Sequence, residues 1–183
     1  MKPQKSNNAM KKTIAIFASI AFIAFIALTA GSCSQSKSTR VDMYGVAFDC
    51  PAGWKITDTS DMKKAAYITI EKDGFGSNGL VTVVLRDQVP QLSDFLEFNQ
   101  NSLREQENLA NIEFGDSREA VYGKYKGIAS SYSSKNMSLT DQGNIYIFDA
   151  KGKTICVIEE EAAEDHDRNQ RGFKDIMNSF TVN

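Results

Sequence analysis

The sequence predicts an α+β domain, an antiparallel β-sheet flanked by helices. Two hairpin-like β pairs, two amphipathic helical stretches and the lack of strand–helix–strand alternation lead to that class. The chain has 183 residues, with 21 Lys+Arg, 23 Asp+Glu and one His. At 42% hydrophobic and 24% charged it has globular composition and enough length to bury a core of its own. No internal repeat or second linker is apparent, so one domain over 41–183 is the economical division.

The first β signal is residues 46–50, where Val46, Phe48 and Cys50 alternate. Pro51 and Gly53 mark a turn, and Trp54 and Ile56 resume the alternation, so a hairpin is predicted here. Residues 67–71 and 80–85 read as strands on either side of a Gly-rich loop, and Pro90 closes the second. A helix is predicted over 92–112, with Leu92, Leu96, Leu103 and Ala110 on one stripe. Ser93 or Asp94 suits its cap, and Asp94 with Glu97 has capping-box spacing. β character returns around Val121-Tyr122 and Ile128. Residues 144–148 and 154–158 form a second hairpin around a turn at 149–152. Both are apolar on both alternations, as central strands covered on two faces are. A last helix starts at Asp165 or Asp167, acids that suit a helix N-terminus. Phe173, Ile176, Met177 and Phe180 fall on its apolar face.

Two motifs frame this body. Val46-x-Phe48-x-x-Pro51-x-Gly53-Trp54 at its start and Phe173-x-x-Ile176-x-x-Ser179-Phe180 at its end resemble the PsbP-like (DcrB-like) superfamily. The order of elements between them is also similar. The resemblance implies an α/β/α sandwich around an antiparallel sheet. It implies no common catalysis, and members that bind or support other proteins. No partner-binding residue of that family can be matched to a position in this sequence.

The N-terminal segment reads as an address. Residues 1–32 carry Lys2, Lys5, Lys11 and Lys12 and no acid, and residues 13–30 are uncharged and largely apolar. Small residues follow, and then Cys33. This is the order of a secretory signal, with either Met1 or Met10 as its start. Ala30-Gly31-Ser32-Cys33 resembles a bacterial lipobox, with Ala30 where Leu is usual. In that reading 1–32 is a lipoprotein signal peptide, Cys33 carries the acyl chains and 33–40 is a polar tether. Several chains on one Cys give stable anchoring where a single chain is marginal. Ser34 lacks the Asp that retains such proteins in the inner membrane, which favours the outer membrane. An uncut membrane anchor and a cleaved, secreted form stay open as alternatives. Without residues 1–32 the body keeps 17 of the 21 basic residues against all 23 acids, a net charge near −6. Such a body disfavours nucleic acid and anionic lipid as partners.

Each candidate site has a plain structural reading beside the chemical one. His166 stands among Glu159, Glu160, Glu161, Glu164, Asp165 and Asp167. Oxygen-rich clusters suit hard cations, but EF-hand spacing is absent and one His cannot supply a transition-metal site. The stretch is therefore read as a solvated acidic helix entrance, with no metal and no catalytic role. Ser130, Ser131, Ser133 and Ser134 lack a Gly-x-Ser-x-Gly frame and read as solvent-facing strand and turn residues. Gly74-x-Gly76-x-x-Gly79 precedes a strand rather than a helix, so it is a hairpin loop and not a phosphate cradle. Trp54 with Phe48 reads as core packing rather than a ligand pocket. Cys50 and Cys156 remain as a disulfide candidate in a compartment that permits one, and equally as buried free thiols. The sequence thus leads to a non-enzymatic, monomeric envelope protein without cofactor. It is anchored to the membrane through acyl chains on Cys33 and engages an unidentified envelope protein. A small-ligand or cation carrier is the alternative.

Overall fold

The computed structural model describes residues 37–73, 78–106, 111–136 and 139–183. Cys33 and the signal segment, Gly74 and Gly76, and Leu109 and Ala110 lie outside the described residues. The elements in chain order are β1 (Thr39–Met43), β2 (Val46–Cys50), β3 (Trp54–Met62), β4 (Ala65–Lys72), β5 (Gly79–Asp87) and α1 (Leu92–Arg104). There follow β6 (Glu113–Phe114), β7 (Arg118–Tyr122), β8 (Tyr125–Asn136), β9 (Leu139–Ala150) and β10 (Lys153–Ala162). A 3-10 turn (Ala163–Asp165) leads into α2 (His166–Ser179), and β11 (Thr181–Val182) ends the chain. Among the described residues no helix is long and apolar enough to cross a membrane.

One eight-stranded antiparallel sheet runs β3-β4-β5-β10-β9-β8-β6, with β7 paired to β8. Alternation sorts its side chains into two cores. Ile68, Ile70, Val81, Val83, Phe148, Ile155 and Val157 face a layer made by α2 and a second sheet, β1-β2-β11. Ile145, Ile147 and Cys156 face the other way, onto Phe95, Leu96 and Leu103 of α1. The double alternation of 144–148 and 154–158 is thus that of β9 and β10, paired from Lys153↔Ala150 to Ala162↔Asp141 with a helix over each face.

The small sheet departs from the expected order. β2 does not pair with β3, because β1 and β11 occupy both its edges. The hairpin of β2 is with β1, through Tyr44 and Gly45 at φ 54° and 88°. Two successive positive φ values mark the tight turn that fits the right-handed twist of paired strands. Pro51 and Gly53 do make a turn, closed by the Trp54 N–H on the Pro51 carbonyl at 3.0 Å, but it sends the chain to the other sheet. β1 also begins inside the stretch read as tether. Arg40 donates to Asp49 Oδ1 at 3.0 Å, to the Ser179 carbonyl at 3.2 Å and to Thr181 Oγ1 at 3.2 Å.

Helix α1 ends at Arg104, short of the predicted 112, and Gln91 rather than Ser93 or Asp94 holds its cap position. Asp94 therefore lies in the first turn, where its charge complements the helix dipole. The two thiols are free, and the sheet stands between them. Cys50 packs in the core under α2 and Cys156 in the core under α1, so the bond that sequence left open is not formed.

The two family-like motifs meet in space. Phe180 follows the last turn of α2 in extended conformation and is 2% exposed. Its ring stacks on Phe48 at 6.0 Å and meets Tyr122 and Phe148 edge-on at 5.5 and 6.0 Å. Trp54 lies edge-on to Phe173 at 5.4 Å. Its indole also occupies the space over Gly172, where a Cβ would come within 2.6 Å of the ring.

Two substitutions test this packing. Phe180→Ala is expected to cost about 3–5 kcal/mol in chemical denaturation, the range for deleting a buried aromatic ring. Gly172→Ala would gain about 0.5–1 kcal/mol in an ordinary helix interior. Here the indole blocks the new methyl, and the expected outcome is a lower melting temperature.

Candidate functional site

The sheet register draws a boundary on the α2 side. Cross-strand neighbours share a face, so β8, β9 and β10 contribute side chains in rows. Gly127, Phe148 and Ile155 form one row, and Ala129, Tyr146 and Val157 the next. The following two rows are polar: Ser131, Asn144 and Glu159, then Ser133, Gln142 and Glu161. The inward alternation of β10 thus passes from Ile155 and Val157 to Glu159 and Glu161 without leaving the covered face.

The first turn of α2 covers these rows. Asp165 is buried and accepts the Asn78 N–H at 2.9 Å and an Arg168 N–H at 3.1 Å. Asn169, fully buried, donates to the Asn78 carbonyl at 3.1 Å and accepts from Lys72 Nζ at 3.0 Å. These bonds tie the helix start to the adjoining ends of β4 and β5. Between helix and sheet lies a cavity of about 280 Å³ lined by Tyr146, Glu159, Glu161, His166, Gln170 and Phe173, among others.

The electrostatics of this cavity are unusual. Glu159 is 5% exposed and Glu161 7%. Glu159 Oε1 and Glu161 Oε2 have no hydrogen-bond partner among the described residues. Burial, reinforced by the charge of Glu161, pushes the Glu159 carboxyl up to about 7. Burial and then the charge of Glu159 push Tyr146 up to about 12, against a smaller pull from Arg118. The Tyr122 hydroxyl is also buried without a partner, and burial first, then Glu159, raises it further. Glu161 Oε1 sits 2.6 Å from His166 Nδ1 and accepts from Gln142 at 3.3 Å. A carboxylate can only accept, so the ring supplies the Nδ1–H. Gln170 lies against the other ring nitrogen.

The opposite face of the same strand is resolved differently. Glu160 accepts the Tyr132 hydroxyl at 2.8 Å. Gly143 stands between them in the register, and a Cβ there would fall 2.6 Å from the Tyr132 ring.

These observations correct two expectations. The acidic stretch is not a solvated helix entrance, because Glu159, Glu161 and Asp165 are buried. Of the four serines, Ser130 and Ser134 are buried on the α1 side, and Ser130 donates to the Gly115 carbonyl at 2.7 Å. Among the described residues the hydrogen-bond partners of His166 are Glu161, Gln142 and Gln170, with no serine. Among the described residues no group of three His, Cys, Asp or Glu can hold a metal ion.

No protein-family model matches the sequence, and no curated protein is significantly similar to it. Solved structures are similar. The solution structure of cyanobacterial PsbP (CyanoP) from Synechocystis sp. PCC 6803 aligns with a TM-score of 0.57 at 15% identity, over 84% of this chain and 96% of that one. The Ran-binding protein Mog1p of Saccharomyces cerevisiae aligns with a TM-score of 0.51 at 10% identity, over 79% and 95%. A protein of Bacteroides thetaiotaomicron VPI-5482 aligns with a TM-score of 0.52 at 8% identity, over 81% of this chain but 49% of its own length. The fold is Mog1/PsbP-like. At these identities the likeness speaks to architecture alone, and it matches the sandwich that the two motifs imply.

Glu159 gives the site a pH signature. Its carboxyl is raised from 4.5 to about 7, so the fold disfavours the ionised form. The associated stability is fully present below about pH 4.5 and is lost as pH rises through about 7. Glu159→Gln removes the charge. It should match the wild type near pH 5 and exceed it near pH 8 by on the order of 3 kcal/mol, read by urea denaturation at both values.

Proposed function

We propose that the chain is a lipid-anchored, non-catalytic protein of the bacterial cell envelope, more specifically of the outer membrane, whose domain binds or supports a protein partner. The observation that carries this reading is Cys33, placed directly after the uncharged stretch 13–30 and the small residues Gly31 and Ser32. With β1 starting at Thr39, only residues 34–38 separate the acylated Cys from the first strand. Five residues span at most about 17 Å, so the domain would ride close above the bilayer surface. Partner binding is in keeping with the use of this fold in the yeast neighbour, a Ran-binding protein. A non-catalytic role is in keeping with the surroundings of the lone imidazole. It touches a carboxylate and two amides, and both described thiols are packed away from it in the cores.

Cys33→Ser is the direct test. The variant is expected to accumulate unprocessed or to leave the membrane fraction, and to lose labelling by a clickable palmitate analogue. Labelling equal to that of the wild type would remove the lipid anchor from this reading.

A further inference from the structure

We infer that the cavity beneath the start of α2 is a binding site for an organic cation that carries N–H groups, a primary alkylammonium or a guanidinium. The inference goes beyond the anchoring reading and does not depend on it.

The first argument is the pair of carboxylates. Glu159 and Glu161 are two apart on one strand, point to one face and are both more than nine-tenths buried. One oxygen of each has no donor among the described residues. Like charges on the same strand face repel, and removal from water adds to the cost of each. A single positive charge seated between them would relieve both at once. Two basic residues stand at the cavity wall: His166 already serves Glu161 Oε1 at 2.6 Å, and among the described residues Lys174 forms no ion pair with either carboxylate.

The second argument is the character of the walls. Tyr146, Phe173 and Met177 offer ring faces and a thioether to an alkyl stem and its charge, while Asn144 and Gln170 offer amides. Hard divalent cations want six to eight oxygen ligands, and these walls do not supply them. The unpartnered oxygens call for hydrogen-bond donors, which a quaternary ammonium lacks. At about 280 Å³ the space lies at the lower end of ligand pockets, room for a charged head on a short stem. A lysine or arginine side chain from a partner and a free short amine present the same chemistry.

The test is calorimetric titration of the full-length protein in nonionic detergent near pH 8, above the raised value of Glu159. The probes are cadaverine, agmatine and Nα-acetyl-lysine methylamide, with tetramethylammonium, pentanol and calcium chloride as comparators. Saturable single-site binding is expected from the N–H cations alone. It should weaken about tenfold or more in Glu159→Gln and in Glu161→Gln. Tighter binding of the blocked lysine assigns the site to a protein side chain, and tighter binding of cadaverine assigns it to a free amine; either supports the proposal. Amide shift changes in the wild type should centre on Gly143, Asn144 and Gln170, a readout that does not rely on the variants folding. The site is overturned by no saturable heat up to about 10 mM of any N–H cation. Equal binding of tetramethylammonium or calcium, unchanged affinity in both variants, or shift changes centred elsewhere would also overturn it. Cys33→Ser should bind as the wild type does, so failure of the anchor and failure of the site are seen separately.

Discussion

Strand β10 is covered on four sides, and the domain is organised around that fact. Its edges are taken by β5 and β9, one face by α2 and the small sheet, the other by α1. Ile155 and Val157 supply one core and Cys156 the other, all without exposure. Each fully buried aliphatic side chain contributes about 1.5–3 kcal/mol, so both layers depend on this one ribbon. The same enclosure leaves any polar group on β10 with few exits. It must find a partner inside the protein or offer itself to something that enters.

Both outcomes occur within three consecutive residues. Glu160 is satisfied because Gly143 leaves open the path along which Tyr132 reaches it. Glu159 and Glu161 turn to the opposite face, where Asn144 and Gln142 are the neighbouring positions on β9. Gln142 and His166 both serve the same oxygen of Glu161. Both residues line a cavity that the helix roofs and does not fill. The contrast is set by what sits one strand away, a missing side chain on one face and short amides on the other.

Much of this architecture was legible in the residues. The hairpin of 144–158 carried its own double alternation. Of the stripe Phe173, Ile176, Met177 and Phe180, the first two showed which face of the last helix meets the core. Met177 is partly buried, and Phe180 reaches the core in extended conformation just past the helix. The partner of β2 was not legible, because alternation reveals which face is buried and is silent about which edge is taken. β1 was half hidden, since Thr39 and Arg40 look like tether until Asp49 and Ser179 stand beside them. The candidate site was hidden by composition. Glu159 and Glu161 continue the inward phase of Ile155 and Val157, but a run of acids reads as solvated wherever the covering element is unknown. Ser130 and Ser134 were misjudged for the same reason, as small polar residues on the inward phase of a strand that α1 covers.

The small sheet has a consequence in time rather than in space. β2 is flanked by the first strand of the domain and by the last, and its pairing with β11 spans some of the longest sequence separations in the fold. The ring of Phe180, which closes the aromatic core, also comes from the final residues. Contacts of such separation are slow to form, because the chain entropy is lost before they repay it. A chain delivered from its N-terminus, whether off a ribosome or through a channel, therefore cannot complete β2 until residues 181–182 have emerged. Until then the face of the central strands that Phe180 helps to cover lacks part of its packing, whereas the face under α1 draws on residues 92–104.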